Sequence, residues 1–142
     1  MIRGFFKGDL GFVNAHLISN SLGIDETLEF AVDTGASKTV ILDKDAITLG
    51  IDYKKLKRCE RDFIGIGGSI KTYIIEDSIL LFKSEREEVK IEMPVFVLRH
   101  PLKEMDAAEK TKVLRIPSLL GRDVINRFRL IFDKRREEII LE

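Results

Sequence analysis

Residues 28–36 read Leu28-Glu29-Phe30-Ala31-Val32-Asp33-Thr34-Gly35-Ala36, an apolar run that stops on a carboxylate. An acid at the end of a buried strand is costly unless something pairs with it or uses it. Thr34 places a hydroxyl beside it. Gly35 lets the backbone turn sharply and leaves room for another chain or a ligand to come close. Alone, Asp33-Thr34-Gly35-Ala36 reads equally well as a strand-ending Asx turn, because Asp and Gly both favour turns. The tetrad occurs once in the chain. Chemistry that needs two such carboxylates has to take the second from elsewhere.

Around this stretch most segments read as strands. Phe12 to Ser19 and Thr27 to Val32 are rich in β-branched and aromatic residues, joined by the turn cluster Asn20-Ser21-Leu22-Gly23. Thr39-Val40-Ile41-Leu42 makes a short apolar strand, Asp43 is a plausible N-cap for a helix through Leu49, and Gly50 ends it. Between Phe63 and Ile75, two extended arms flank Gly65-Ile66-Gly67-Gly68, the pattern of a β-hairpin with a glycine-rich tip. Ile79 to Phe82 and Val89 to Leu98 are further strands, with Pro94 marking an edge or a bulge. Lys103 to Lys110 favours a short surface helix. It lies in a stretch, residues 99–117, that reads as an insertion or lid on a β domain. Leu119-Leu120-Gly121 leads into a helix over Asp123 to Phe128 that buries Val124, Ile125 and Phe128. Leu130-Ile131-Phe132 and Ile139-Ile140-Leu141 close the chain as a hairpin. The expected fold is mainly β with one or two short helices.

The 142 residues suit one domain over residues 1–142. Lys plus Arg and Asp plus Glu both number 24, so net charge offers no general attraction to nucleic acid or anionic lipid. The basic runs at Lys54–Arg58 and Lys134–Arg136 are followed by acids and read as solvated turns. Cys59 is the only cysteine, which excludes an internal disulfide and suits a reducing compartment. His16 and His100 form no short-spaced ligand pair, so neither a metal nor another cofactor is expected. No apolar run approaches the roughly 20 residues of a membrane span, and the N-terminus has no signal-like apolar core. A soluble, cytoplasmic protein is expected. The glycine-rich tip makes a poor phosphate cradle, since no Lys-Ser/Thr pair and no helix follow it.

The order of the parts is more specific than any one of them. An acid loop, a glycine-tipped hairpin about thirty residues later and an apolar-apolar-Gly before a short helix resemble the retropepsin family, the single-lobe aspartic proteases. Asp33-Thr34-Gly35-Ala36 is similar to the family's catalytic loop. Ile64 to Lys71 is similar to its flap, and Leu119-Leu120-Gly121-Arg122-Asp123 to the motif packed beneath the loop. The resemblance implies a retropepsin-like closed β-barrel lobe. It implies catalytic roles for Asp33, Thr34 and Gly35, and substrate contacts from Ala36, Gly65, Ile66, Gly67 and Gly68. Leu120, Gly121 and Arg122 would give structural support.

Because one domain offers one motif aspartate, the implied enzyme is a homodimer acting on a protein or peptide substrate. Retroviral members follow the Ala with an acid that pairs with the later Arg. Here that position is Ser37, so Arg122 needs another partner. The terminal hairpin also departs from the viral pattern of interleaved termini. These departures keep open a second reading, a non-catalytic dimerisation or peptide-binding module on the same fold.

Overall fold

The computed structural model describes residues 1–59, 63–65 and 68–142, with the backbone alone for 63–65 and 68. The chain opens with two short strands, β1 (Ile2–Arg3) and β2 (Phe5–Lys7), which the sequence reading did not anticipate. A long hairpin follows, β3 (Leu10–Ser19) and β4 (Ile24–Val32). Its register runs from Ser19 opposite Ile24 to Phe12 opposite Ala31. Alternation sends Val13, Ala15 and Leu17 of β3 and Leu28 and Phe30 of β4 into the core. Gly23 closes the turn at φ +65°, a conformation that L side chains rarely adopt. Asp77 grips the turn from outside, accepting the Ser21 amide at 2.9 Å and the Ser19 hydroxyl at 2.7 Å.

After the Asp33 loop come β5 (Val40–Ile41) and α1 (Asp43–Leu49). Asp43 is not the N-cap expected from the sequence. Leu42 holds that position without a side-chain bond, and Asp43 begins the helix with its carboxylate turned to His100. The buried partner outcompetes the cap. Gly50 ends the helix in the left-handed conformation, φ +63°, as the sequence implies.

A 3₁₀ turn at Tyr53–Lys55 precedes β6 (Lys57–Arg58), β7 (Phe63–Gly65) and β8 (Gly68–Ile75). Strands β7 and β8 pair antiparallel with Gly65 opposite Gly68, which is the hairpin expected from the glycine-rich stretch. Its tip residues Ile66 and Gly67 lie outside the described residues.

The stretch Val89 to Leu98 divides at Pro94. β9 (Ile79–Lys83) pairs with β10 (Glu88–Glu92), whereas β11 (Val95–Arg99) leaves for β8 and β5. Proline has no amide hydrogen to continue the ladder, so the chain changes partners there. The helix expected over 103–110 is shifted. A 3₁₀ turn occupies Leu102–Glu104 and α2 spans Ala107–Val113, capped by the Asp106 carboxylate on the Glu109 amide at 2.8 Å. This stretch is anchored by Met105 and Val113, both buried.

The chain closes with β12 (Ser118–Leu120), α3 (Arg122–Ile125), β13 (Leu130–Asp133) and β14 (Glu138–Leu141). Helix α3 stops at Ile125, short of the expected Phe128. Beyond it the amides of Arg127 and Phe128 bond to carbonyls three residues back, a tighter turn than the α-helix.

Two sheets result. The larger is mixed, ordered β10-β9-β3-β4-β12-β5-β11-β8-β6, with β2 on β3 and β7 on β8; it curls into the half-barrel of the retropepsin-like fold. The smaller is β1-β14-β13, which joins the first strand to the terminal hairpin of the same chain. The core includes Val13, Leu17, Phe30, Ile41, Leu80, Phe82, Val95 and Leu141, all without exposed surface to speak of. Burying each such side chain is worth about 1.5–3 kcal/mol.

Candidate functional site

The Asp33 loop is held where two parallel strand ends meet. Val32 of β4 lies opposite Leu120 of β12, and the Asp33 amide continues the ladder to the Leu120 carbonyl at 3.0 Å. The chain then turns on itself. The Gly35 amide donates to Asp33 Oδ1 at 2.9 Å and the Ala36 amide to the Asp33 carbonyl at 3.2 Å. The Asx turn and the candidate acid are one feature: the same carboxylate oxygen shapes the loop and faces partly outward, since Asp33 is only half-buried.

Gly35 adopts no positive φ, and within the chain an added Cβ would meet only Asp33 Oδ1, at 3.1 Å. Its own fold makes little demand for glycine there. The Thr34 side chain is exposed and makes no hydrogen bond among the described residues.

A second layer supports the loop from below. The Arg122 amide donates to the Ala36 carbonyl at 2.8 Å, and Arg122 Nη1 to the Thr34 carbonyl at 2.9 Å. That carbonyl is the partner Arg122 needed in place of an acid at Ser37. Gly121 packs so tightly on residues 38 and 39 that a Cβ would stand 2.4 Å from the Lys38 carbonyl carbon. The Gly121 amide donates to Thr39 Oγ1 at 3.0 Å.

Asp123, the last residue of the motif expected beneath the loop, finds there a partner that the sequence does not mark, Thr39. Asp123 accepts the Thr39 amide on both oxygens, at 3.1 and 2.9 Å, and the Thr39 hydroxyl at 2.7 Å. Thr39 is fully buried, so these bonds replace water that its polar groups have lost. One turn further, the Ser118 hydroxyl donates to Asp45 at 2.5 Å and accepts the Leu42 amide at 3.1 Å, tying β12 to α1.

Beside the loop opens a cleft of about 740 Å³, walled by Ala36, Val40, Cys59, Thr72, Phe96 and Leu119 among others. Ala36 is the loop's contribution to it; Asp33 is not one of its walls. The structure thus brings Asp33, Thr34, Gly35 and Ala36 together with Leu120, Gly121 and Arg122 in one bonded unit. Gly65 and Gly68 stand opposite one another at the end of the β7–β8 ladder and share no bond with that unit among the described residues.

The aspartyl protease family model matches residues 21–124, which include the Asp33 loop, the glycine-rich hairpin and the Gly121 motif. The chain belongs to the aspartyl protease family. It is similar to the crystal structure of a retropepsin-like aspartic protease from Rickettsia conorii, with 25% identity and a TM-score of 0.60. That match covers 99% of this chain and 97% of the other. The EIAV protease, solved with the inhibitor HBY-793, matches at 17% identity and a TM-score of 0.45, over 82% of this chain and 85% of the other. No curated protein sequence matches.

Among the described residues, no group of three or more His, Cys, Asp or Glu is placed to hold a metal ion. No helix among them is long and apolar enough to cross a membrane.

Proposed function

We propose that this aspartyl protease is an endopeptidase that works as a homodimer, with Asp33 of each subunit meeting on the two-fold axis. Two carboxylates so close cannot both ionise cheaply, so they share one proton and titrate as a pair. The charged member takes a proton from a water held between them, and the water oxygen bonds to the peptide carbonyl carbon. The protonated member donates a hydrogen bond to the carbonyl oxygen. As the tetrahedral intermediate collapses, the leaving nitrogen takes a proton and the C–N bond breaks.

Thr34 bonds across the dimer to the partner's loop, and Gly35 admits the partner or the substrate backbone at close range. The flap, Gly65 to Gly68 with Ile66 at its tip, closes over an extended peptide, and Ala36 lines the cleft beside it. Leu120, Gly121 and Arg122 hold the loop in position.

The observation that carries this reading is the state of the loop in the single chain. Asp33 is fixed by main-chain bonds, the Thr34 hydroxyl has no partner among the described residues, and Gly35 is a glycine its own fold barely requires. All three fit a second copy and a substrate arriving from outside.

One observation favours the alternative of a non-catalytic peptide-binding module: the cleft beside the loop is bounded by Ala36 and not by Asp33. Incubation of an unstructured protein mixture with the wild type and with Asp33→Asn, each checked by light scattering, separates the two. Cleavage by a wild-type dimer, absent from a dimeric Asp33→Asn, is expected. Equal cleavage by both proteins, or cleavage by a strictly monomeric species, overturns the proposal.

A further inference from the structure

His100 and Asp43 form a buried pair outside the Asp33 loop. Their side chains are 6% and 2% exposed. The Asp43 carboxylate accepts the His100 amide at 3.0 Å and binds His100 Nδ1 with its other oxygen. These bonds pin the root of the 99–117 stretch to α1. They leave Nε2 unexplained. No group among the described residues bonds it, yet it is not among the buried polar atoms sealed from solvent without a partner. It therefore opens on the adjoining cavity, and the Asp43 bond at Nδ1 orients it.

That cavity has a volume of about 600 Å³ and is lined by Tyr53, Lys71, Arg99, His100, Lys103 and Glu104 among others. It shares no wall with the cleft beside Ala36, because Lys71 and Thr72 point to opposite faces of β8. Lys71 and Arg99 are directly opposite one another in the β8–β11 ladder. Two like charges in that relation destabilise a sheet.

Neither cation has an acidic partner among the described residues, and Lys103 has none either. Arg99 rests on the Tyr53 ring, 4.2 Å from its centroid. Burial, and then the Asp43 charge, push the Tyr53 hydroxyl up to about 12, so it remains a neutral donor. On the acidic side stand Asp43, already engaged by His100, and Glu104. Three cations thus share one space with two carboxylates, one of which is already engaged by His100.

We propose that this cavity binds a phosphomonoester, with its phosphate held by Lys71, Arg99, Lys103 and His100 Nε2. Several donors lining one cavity suit an oxyanion with three free oxygens better than a planar carboxylate. The volume exceeds what inorganic phosphate needs and falls within the about 300–1,000 Å³ of small-molecule sites, so the anion carries an organic body. The site does not depend on proteolysis and stands or falls separately from it.

The test is calorimetric titration of the full chain with phenyl phosphate and, in parallel, with inorganic phosphate at matched ionic strength. Proton–nitrogen spectra of the His100 ring are followed through both titrations. Saturable binding of phenyl phosphate, weaker binding of inorganic phosphate and movement of the His100 ring signals are expected. Lys71→Gln and Arg99→Gln should each weaken binding about tenfold or more, the loss of one charge-assisted hydrogen bond. Lys71→Gln removes a like-charge contact, so its melting temperature should hold or rise. No saturable binding of either probe, or unchanged affinity in both variants, overturns the site. Equal affinity for the two probes overturns its assignment to an ester.

Discussion

Replacing Gly121 with alanine tests how the Asp33 loop is held. At φ −94° any residue can adopt the backbone conformation of Gly121, so strain in the chain itself is not the issue. Space is. An added Cβ would lie 2.4 Å from the Lys38 carbonyl carbon, 2.5 Å from its oxygen and 2.8 Å from the Thr39 amide nitrogen, where ordinary contact begins at 3.4 Å. The atoms in the way are backbone, so no rotamer change relieves the clash, and residues 38 and 39 must retreat by about 1 Å.

That retreat costs about 1–3 kcal/mol as overpacking. It also breaks the bond from the Gly121 amide to Thr39 Oγ1, worth about 1 kcal/mol. A loss near 3 kcal/mol is a large part of the roughly 5–15 kcal/mol that holds a domain together. For a chain of this size it lowers Tm by about 6–12 °C.

Thermal unfolding followed by circular dichroism measures this directly, with Gly50→Ala as the control. Gly50 sits at φ +63° with nothing within 4 Å of its would-be Cβ. Its substitution costs only the left-handed backbone penalty, about 1–2 kcal/mol. A Gly121→Ala protein that melts within about 2 °C of its parent, or no lower than Gly50→Ala, refutes the close-packing account of the loop.

Two further outcomes are expected. Ser118→Ala leaves the Leu42 amide without its buried acceptor and Asp45 without a donor, so urea unfolding should show a loss of about 1–3 kcal/mol; a loss within error would show that water replaces the hydroxyl. The Tyr53 hydroxyl is raised from 10.0 to about 12, chiefly by burial and then by the Asp43 charge. Because the folded value lies above the unfolded one, its stabilisation is complete below about pH 10 and fades as pH rises through about 12. Ultraviolet titration should resolve one of the two tyrosines ionising late, and Tyr53→Phe should flatten the alkaline loss of stability. Two tyrosines titrating together near 10 would contradict it.

Much of this fold was legible in local pattern. The β3–β4 hairpin, the helix ended by Gly50, the glycine-rich hairpin and the terminal hairpin all follow from alternation and turn residues that act within a few positions. Three of the errors share one cause, a partner far away in sequence. Asp43 looks like an N-cap until His100 claims its carboxylate. Val89 to Leu98 looks continuous until β10 and β11 are seen to serve different neighbours. Strand β1 is too short to announce itself and exists because β14 offers it an edge.

At the candidate site the division is similar. Asp33, Thr34, Gly35 and Ala36 stand out because their types and order are unusual for a strand end. Arg122 stood out as a residue lacking its usual acid, and only the fold supplies the Thr34 carbonyl as its partner. Asp123 belongs to the expected motif, but nothing in the sequence pairs it with Thr39, 84 positions away, to which three bonds join it beneath the loop.

The amino-acid order alone determined that the chain would be β-rich, that an acid would end an apolar strand, and that a glycine-rich hairpin and an apolar-apolar-Gly motif would follow. Those properties arise from periodicity, turn preference and the cost of a lone buried charge, which neighbours in sequence express by themselves. The tertiary structure decided which amides and carbonyls hold the Asp33 loop, that the two ends of the chain share a sheet, and that His100 opens on a cavity edged by cations. Such choices depend on burial and on contacts across the fold. They exist only once the whole sheet has curled around its core.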